Sequence, residues 1–424
     1  MRRDTTFTYA TLAVFSLFAL LVIVLGVNIP QQDDFDSIFF YLLGSRDDIT
    51  SGLFTVHVSH RLVATRLLAL AGVLLGGEIE LRLLMLIAMA ILFGTIYLFY
   101  RSFRDSADKP FLLLIISLCL LSLFHWSNML WATAAIQNYF GLFIAVSSLY
   151  LFVRNTTAGT AGAIVIASLA PYVSSNGLLV LPLLFVWCVC SRPAAARHAR
   201  LCTALLLFVL SSGSVLIYLF GFDDAISLNG AMIADSNPML GLFVVIKAYL
   251  TACAGFLHFA PLALLAGAAM NLYFIALIAR RYDKKNPAIF YSIAYLLVSM
   301  ALVALFRHGQ GIEHLIASRY QVFTLGLTAL MLVSFFEQGW HQFVPVPRCK
   351  DLILLLCTLL YLASWFYYGN LLAERERIVS GLTNWRSSGE TGGLYHPRPA
   401  TAGQILDRAI DSGLYNPPAM QAFP

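Results

Sequence analysis

Residues 31–66 read QQDDFDSIFFYLLGSRDDITSGLFTVHVSHRLVATR, and this stretch decides how the chain is interpreted. It follows the first long apolar run directly. It gathers Asp33, Asp34, Asp36, Asp47, Asp48, His57, His60, Arg61 and Arg66 within a short length. The remainder is mostly Leu, Ala, Phe, Val and Ile. Of 424 residues, 59% are hydrophobic and only 12% charged, with a mean hydropathy of +0.79. A soluble domain carries about 25% charged residues. Half that value excludes an ordinary globular protein and implies an all-α polytopic membrane protein. A chain buried in lipid pays heavily for ionisable groups, so a cluster of them marks a loop outside the bilayer and a candidate seat of chemistry.

A bilayer crossing needs about 20 apolar residues. Eleven crossings are expected, at 7–27, 81–99, 111–130, 136–153, 158–173, 177–190, 201–220, 261–279, 287–305, 321–336 and 352–369. The fifth and sixth are short. They are separated by Tyr172-Val173-Ser174-Ser175-Asn176-Gly177, which reads as a tight turn at membrane depth. Two further apolar stretches, 62–77 with Arg66 and 239–259 with Lys247 and His258, would reverse the next basic loop if they crossed. Both are read as interfacial or re-entrant helices on the outer face.

The basic residues set the orientation. Fifteen of the 27 Lys and Arg fall on the N-terminal flank and the short loops that would lie on its side. Such a bias places those loops in the cytoplasm. The N-terminus is therefore expected inside, on a retained anchor helix without a signal-cleavage site. The chain divides into a transmembrane domain at 1–369, with its first outer loop at 28–66, and a small outer tail at 370–424 carrying one short helix at 401–412. The scattered net charge of +5 is no nucleic-acid signature. The seven cysteines lie in or beside apolar runs and form no disulfide framework or zinc pattern. No repeat is visible.

Several groups suit chemistry. Asp33 and Asp34, with Asp36 close by, can supply a general base for a hydroxyl or bind a divalent cation. His57 and His60 offer weak metal ligation together with Asp36, or contacts to a polar substrate. Arg61 and Arg66 can grip phosphate through a planar fork, and Arg66 can equally salt-bridge the acidic loop. A second basic loop carries Arg307, His308, Glu313 and His314, followed by Ser318-Arg319-Tyr320. Its cations could hold a phosphate head group or anchor a helix end. Gln137, Asn138 and Asn176 are amides at membrane depth, while Trp126 and Trp131 are read as interface belt. Asp223, Asp224 and Asp235 are read as solvated loop acids.

Asp33-Asp34 after the first helix, His60-Arg61 leading through Arg66 into an amphipathic helix, Ser174-Ser175-Asn176-Gly177-Leu178, and Ser318-Arg319-Tyr320 together form a pattern. With Leu394-Tyr395-His396-Pro397 and Gly413-Leu414-Tyr415 in the tail, it resembles the GT-C fold membrane glycosyltransferases, in a bacterial polytopic branch. The resemblance implies an enzyme of the bacterial inner membrane. It would move a sugar from a polyprenyl-phosphate donor to a cell-envelope glycan or lipid acceptor on the outer face, with inversion. Asp34 or Asp33 would be the base. Arg319, Arg66, Arg61 and Arg307 would steady the phosphate, and His60, Tyr320, Asn176 and Asn138 would contact substrate. The resemblance fixes no cofactor and is compatible with a divalent cation, Mg or Mn. Two other readings stay open: a transporter or flippase of a lipid-linked glycan, which predicts internal pseudo-symmetry, and an O-antigen-type polymerase or ligase, which predicts a large late outer loop.

Overall fold

The computed structural model describes residues 2–57, 60–104, 108–190, 197–220, 238–342 and 349–418. Among these the chain is helical throughout, without a strand beyond one isolated bridge between His57 and His60. In hydrocarbon each backbone N–H and C=O must be satisfied within the protein, and a helix does this within a single segment. Eight helices are long and apolar enough to cross a membrane: Asp4–Leu25, Leu81–Ser102, Ala132–Val153, His198–Leu219, Ala260–Ala279, Pro287–Gln310, Ile312–Glu337 and Cys349–Ser388. The protein is therefore an all-α, multi-pass membrane protein.

The other expected crossings take different forms. Lys109–Leu120 and Leu123–Met129 meet at a 62° bend. The bend frees the amide of Leu123, which donates to Ser364 Oγ at 3.0 Å. A neighbouring hydroxyl thus replaces the lost helical acceptor. Thr157–Tyr172 and Ser175–Cys190 are short apolar helices. At the turn between them a Cβ on Gly177 would sit 2.0 Å from the carbonyl oxygen of Ala170, so only glycine permits this approach.

Val63–Gly76 and Gly241–Cys253 are also too short for a full span. The first begins and ends at one end of the bundle. Asn28, which precedes it, accepts from the Leu81 amide at 2.9 Å and donates to the Ile79 carbonyl at 3.3 Å. Leu67, Leu74 and Leu75 on this helix are exposed, while Thr65, Arg66 and Ala69 are buried. One face thus meets the protein and another is apolar and open, the pattern of a helix lying in an interface.

The end of the bundle away from the acidic loop closes on Glu337. Its carboxylate accepts from the Arg104 amide at 2.9 Å, the Tyr282 hydroxyl at 2.7 Å and Asn286 Nδ2 at 2.9 Å. A buried carboxylate held by so many donors ties three helix ends without an unsatisfied charge.

The tail is no loose appendage. The helix of the last crossing continues as Tyr368–Ser388, and a second helix, Pro399–Asp411, covers the expected 401–412. The chain between and after them folds back on the first loop. The Gln32 amide donates to the Tyr395 carbonyl at 2.7 Å, the Ile79 amide to Leu414 at 2.8 Å, and the Tyr415 hydroxyl to the Asn28 carbonyl at 2.6 Å. Tyr415 is 2% exposed and meets Phe39 edge-on at 5.0 Å between ring centroids. Replacing Tyr415 with Ala should cost about 3–5 kcal/mol of local stability. Limited proteolysis should then cut the 389–398 connection faster than in wild type; an unchanged cleavage rate would show that the tail is held elsewhere.

Candidate functional site

The first loop is anchored before it is functional. After the first helix the chain turns at Gln31–Gln32, and residues Phe35–Phe39 form a π-helical turn. A second π-turn, Ile136–Phe140, follows the start of the helix at Ala132. The two segments are bound by Asp34. Its Oδ1 accepts from the Thr133 amide at 2.9 Å and the Thr133 hydroxyl at 2.6 Å, and its Oδ2 from the Gln31 amide at 3.3 Å. Ser37 Oγ and Thr133 Oγ1 add a contact at 3.0 Å. An acceptor at a helix N-terminus satisfies an otherwise unpaired amide and meets the positive end of the helix dipole. Here the cap comes from a residue 99 positions away.

The pair left open by the sequence is thereby separated. Asp34 is fully buried and committed to its neighbours. Burial pushes its carboxyl up to about 7 against the three hydrogen bonds, and the charge on Asp33 adds to the rise. The Asp33 side chain is 38% exposed, with Oδ1 3.3 Å from His57 Nε2. Burial would raise the Asp33 carboxyl, but the contact with His57 and the nearby charge of Arg319 outweigh it and hold it below the usual carboxylate value. Asp33 is thus an ionised, accessible carboxylate.

His57 and His60 pair through their backbones, each amide donating to the other's carbonyl at 2.7 and 2.8 Å. Burial, then the charge of Arg307, pushes the His60 ring down to about 4, so it is neutral near pH 7.

The second loop reaches the same place. Arg319 lies over the rings of Trp131, at 5.5 Å, and Tyr320, at 5.1 Å. The Tyr320 side chain interacts with both Arg319 and Arg307. The Arg319 carbonyl accepts from Asn128 Nδ2 at 3.0 Å, and Asn128 Oδ1 accepts from Asn138 Nδ2 at 3.0 Å. Ser318 and Ser127 meet at 2.6 Å. Among the described residues neither Arg319 nor Arg307 has a carboxylate within 4.0 Å. Trp131, expected in an interface belt, is only 8% exposed, and its indole N–H has no acceptor among the described residues. Asp33, His57, His60, Arg307, Arg319, Tyr320, Trp131 and the Asn128–Asn138 pair thus form one polar cluster at one end of the bundle.

Other expected site residues are placed differently. Arg66 Nη1 donates to the carbonyls of Gly52, Leu53 and Thr55 at 2.9, 3.1 and 2.8 Å, and its guanidinium lies 5.4 Å from the Tyr41 ring. It is 4% exposed and closes the end of the short helix Arg46–Gly52, so neither phosphate gripping nor a salt bridge to the acids describes it. Arg61 does the same for the helix Arg197–Leu219, donating to the carbonyls of Tyr218, at 3.0 Å, Phe220 and Phe54. A basic side chain at a helix C-terminus meets unpaired carbonyls and the negative end of the dipole. Asp36 turns to the tail, with Oδ2 3.1 Å from His396 Nε2 and 3.9 Å from Arg398 Nη2. It therefore does not converge with His57. Among the described residues no three His, Cys, Asp or Glu side chains group as metal ligands. Asn176 is half-buried at the broken hairpin, whose Tyr172 packs edge-on against Phe54 at 5.6 Å. His308 caps its own helix through the Leu305 carbonyl at 3.0 Å. Asp223, Asp224 and Asp235 lie outside the described residues.

Sequence reasoning did not find the two π-turns or the role of Trp131. A π-turn leaves no mark in apolar periodicity, although such turns recur at functional sites. Comparison with protein families, curated proteins and solved structures finds no match to this chain. The fold and the site together define a multi-pass helical membrane protein with an ionised carboxylate and two arginines gathered at one end.

Because the folded state raises the Asp34 carboxyl from 3.8 to about 7, folding takes up a proton there between those values. The associated stability is full below about pH 4 and is lost as pH rises through 7. Thermal unfolding in detergent should show this fall over pH 4–7 for the wild type and a flatter profile for Asp34→Asn. Parallel profiles would refute the assignment.

Proposed function

We propose that this protein is a GT-C-type glycosyltransferase of the bacterial inner membrane that takes its sugar from a polyprenyl-phosphate donor. In this reading the two short helices around Gly177 and the bent pair at 109–129 complete eleven crossings. The N-terminus is cytoplasmic, and the polar cluster and the tail are extracytoplasmic. The bias of Lys and Arg toward the opposite loops supports that orientation.

The observation that carries the proposal is an ionised Asp33 that feels the charge of Arg319, with Arg307 joined to Arg319 through Tyr320, at the end of an otherwise apolar bundle. Asp33 would accept the proton of the acceptor hydroxyl. The acceptor oxygen would then attack the anomeric carbon, and the bond to the phosphate oxygen would break with its electrons leaving on the lipid phosphate. Arg319 and Arg307, which have no carboxylate within 4.0 Å among the described residues, would bind that phosphate, with Tyr320 fixing the guanidinium planes. His57 would orient the Asp33 carboxylate, and neutral His60 and Asn138 would hydrogen-bond the sugar. Glycan or lipid is the acceptor, and lipid access runs through the surrounding bilayer.

Removing a general base costs about 10²–10⁴ in rate. Asp33→Asn should therefore abolish the product while Asp34→Asn, if it still inserts, retains it. Mass spectrometry of the host's surface glycans and lipid-linked sugars makes the comparison against a deletion strain. A normal glycan profile in Asp33→Asn beside an altered one in the deletion would remove the carboxylate from the mechanism. Arg319→Ala should accumulate unused lipid-linked donor; loss of donor instead would place the protein upstream, in donor transport or synthesis.

A further inference from the structure

A second cleft, of about 390 Å³, opens where the tail meets the first loop. Its walls include Gln32, Arg377, Gly392, Gly393, Tyr395 and His396. Three observations mark it as built. Gln32 holds a left-handed backbone, with φ at +49°, a conformation unusual for a residue with a side chain. Its amide N–H fixes that conformation by donating to the Tyr395 carbonyl at 2.7 Å, while its side-chain amide has no hydrogen-bond partner among the described residues. The floor carries no side chains. Gly393 packs against Gly381, where a Cβ would strike the Gly393 carbonyl oxygen at 2.1 Å, whereas a Cβ on Gly392 would find nothing nearer than Glu390 Oε1 at 3.9 Å.

The charges around the cleft are already balanced. The Arg377 guanidinium pairs with Glu374 and stacks on the Tyr395 ring at 3.5 Å, and His396 pairs with Asp36. Such walls do not suit a polyanion. They present an amide, a guanidinium already stacked on a tyrosine ring, backbone and the surfaces of Pro397 and Pro399, which suit a neutral polyhydroxylated ligand. Strained backbone held by surrounding contacts is a recurring feature of ligand clamps.

We propose that this cleft is a saccharide-binding site that holds a neutral glycan segment beside Asp33, the residue next to Gln32. Presentation of a glycan hydroxyl to Asp33 rests on the transferase reading; binding of the saccharide does not.

The test is saturation-transfer NMR on the full-length protein in nanodiscs. The probes are the methyl glycosides of glucose, galactose, mannose and N-acetylglucosamine and their β-1,4 disaccharides. At least one should receive saturation from the wild type and equally from Asp33→Asn. The signal should fall at least five-fold in Gln32→Ala and in Gly392→Phe, whose Cβ has no atom nearer than 3.9 Å, while both variants keep the wild-type melting temperature. No transfer from the wild type, or full transfer from a folded Gly392→Phe, overturns the proposal. Binding that persists while Asp33→Asn leaves the host's glycans unchanged would keep the cleft and discard the transferase chemistry.

Discussion

One buried carboxyl organises the functional end of the molecule. Asp34 joins the loop after the first helix to the N-terminus of the helix at Ala132, and the placements of its neighbours in both segments depend on that junction. It fixes Asp33, one residue earlier, at the surface. It sets the adjacent π-turn so that Ser37 meets Thr133. It also holds the neighbouring Leu130 carbonyl where Gln31 Nε2 donates to it, in the stretch that carries Trp131 beneath Arg319. The cost of burying the carboxyl is moderated by three hydrogen bonds and by protonation, since its folded value lies near 7.

The arginines divide by what satisfies them. Arg61 and Arg66 are consumed by backbone carbonyls at helix ends, where water is scarce and an unpaired carbonyl is costly. Arg319 rests on the rings of Trp131 and Tyr320, and Arg307 on the Tyr320 side chain and the Gln310 amide oxygen at 2.8 Å, neutral partners that leave much of each guanidinium's hydrogen-bonding capacity unused. Two arginines of similar sequence character therefore become structural, and two remain available to an anion.

The irregular segments of the bundle obey the same rule as its straight ones. The 62° bend at 120–123 is possible because Ser364 supplies an acceptor, and the break at 170–177 because Gly177 allows two backbones to touch. Both lie toward the polar end, where freed groups find protein partners. At the other end, Glu337 gathers donors from three segments and keeps the bundle closed.

Composition and the spacing of apolar runs were enough to determine an all-helical, multi-pass membrane protein, because lipid leaves the backbone few alternatives. They also set 62–77 and 239–259 apart from the full crossings, and the helices found there are too short for a span; and they picked out the loops at 31–66 and 307–320 as the concentration of ionisable groups. Tertiary structure alone decided which member of each pair is buried among backbone partners and which stays accessible. Asp33 and Asp34 are identical in chemistry and adjacent in sequence, and so nearly are Arg61 and Arg319 in their setting of apolar residues. Their roles diverge because burial and hydrogen bonding depend on partners about 100 to 160 residues away, Thr133 for Asp34 and Tyr218 for Arg61, and no local pattern encodes those contacts.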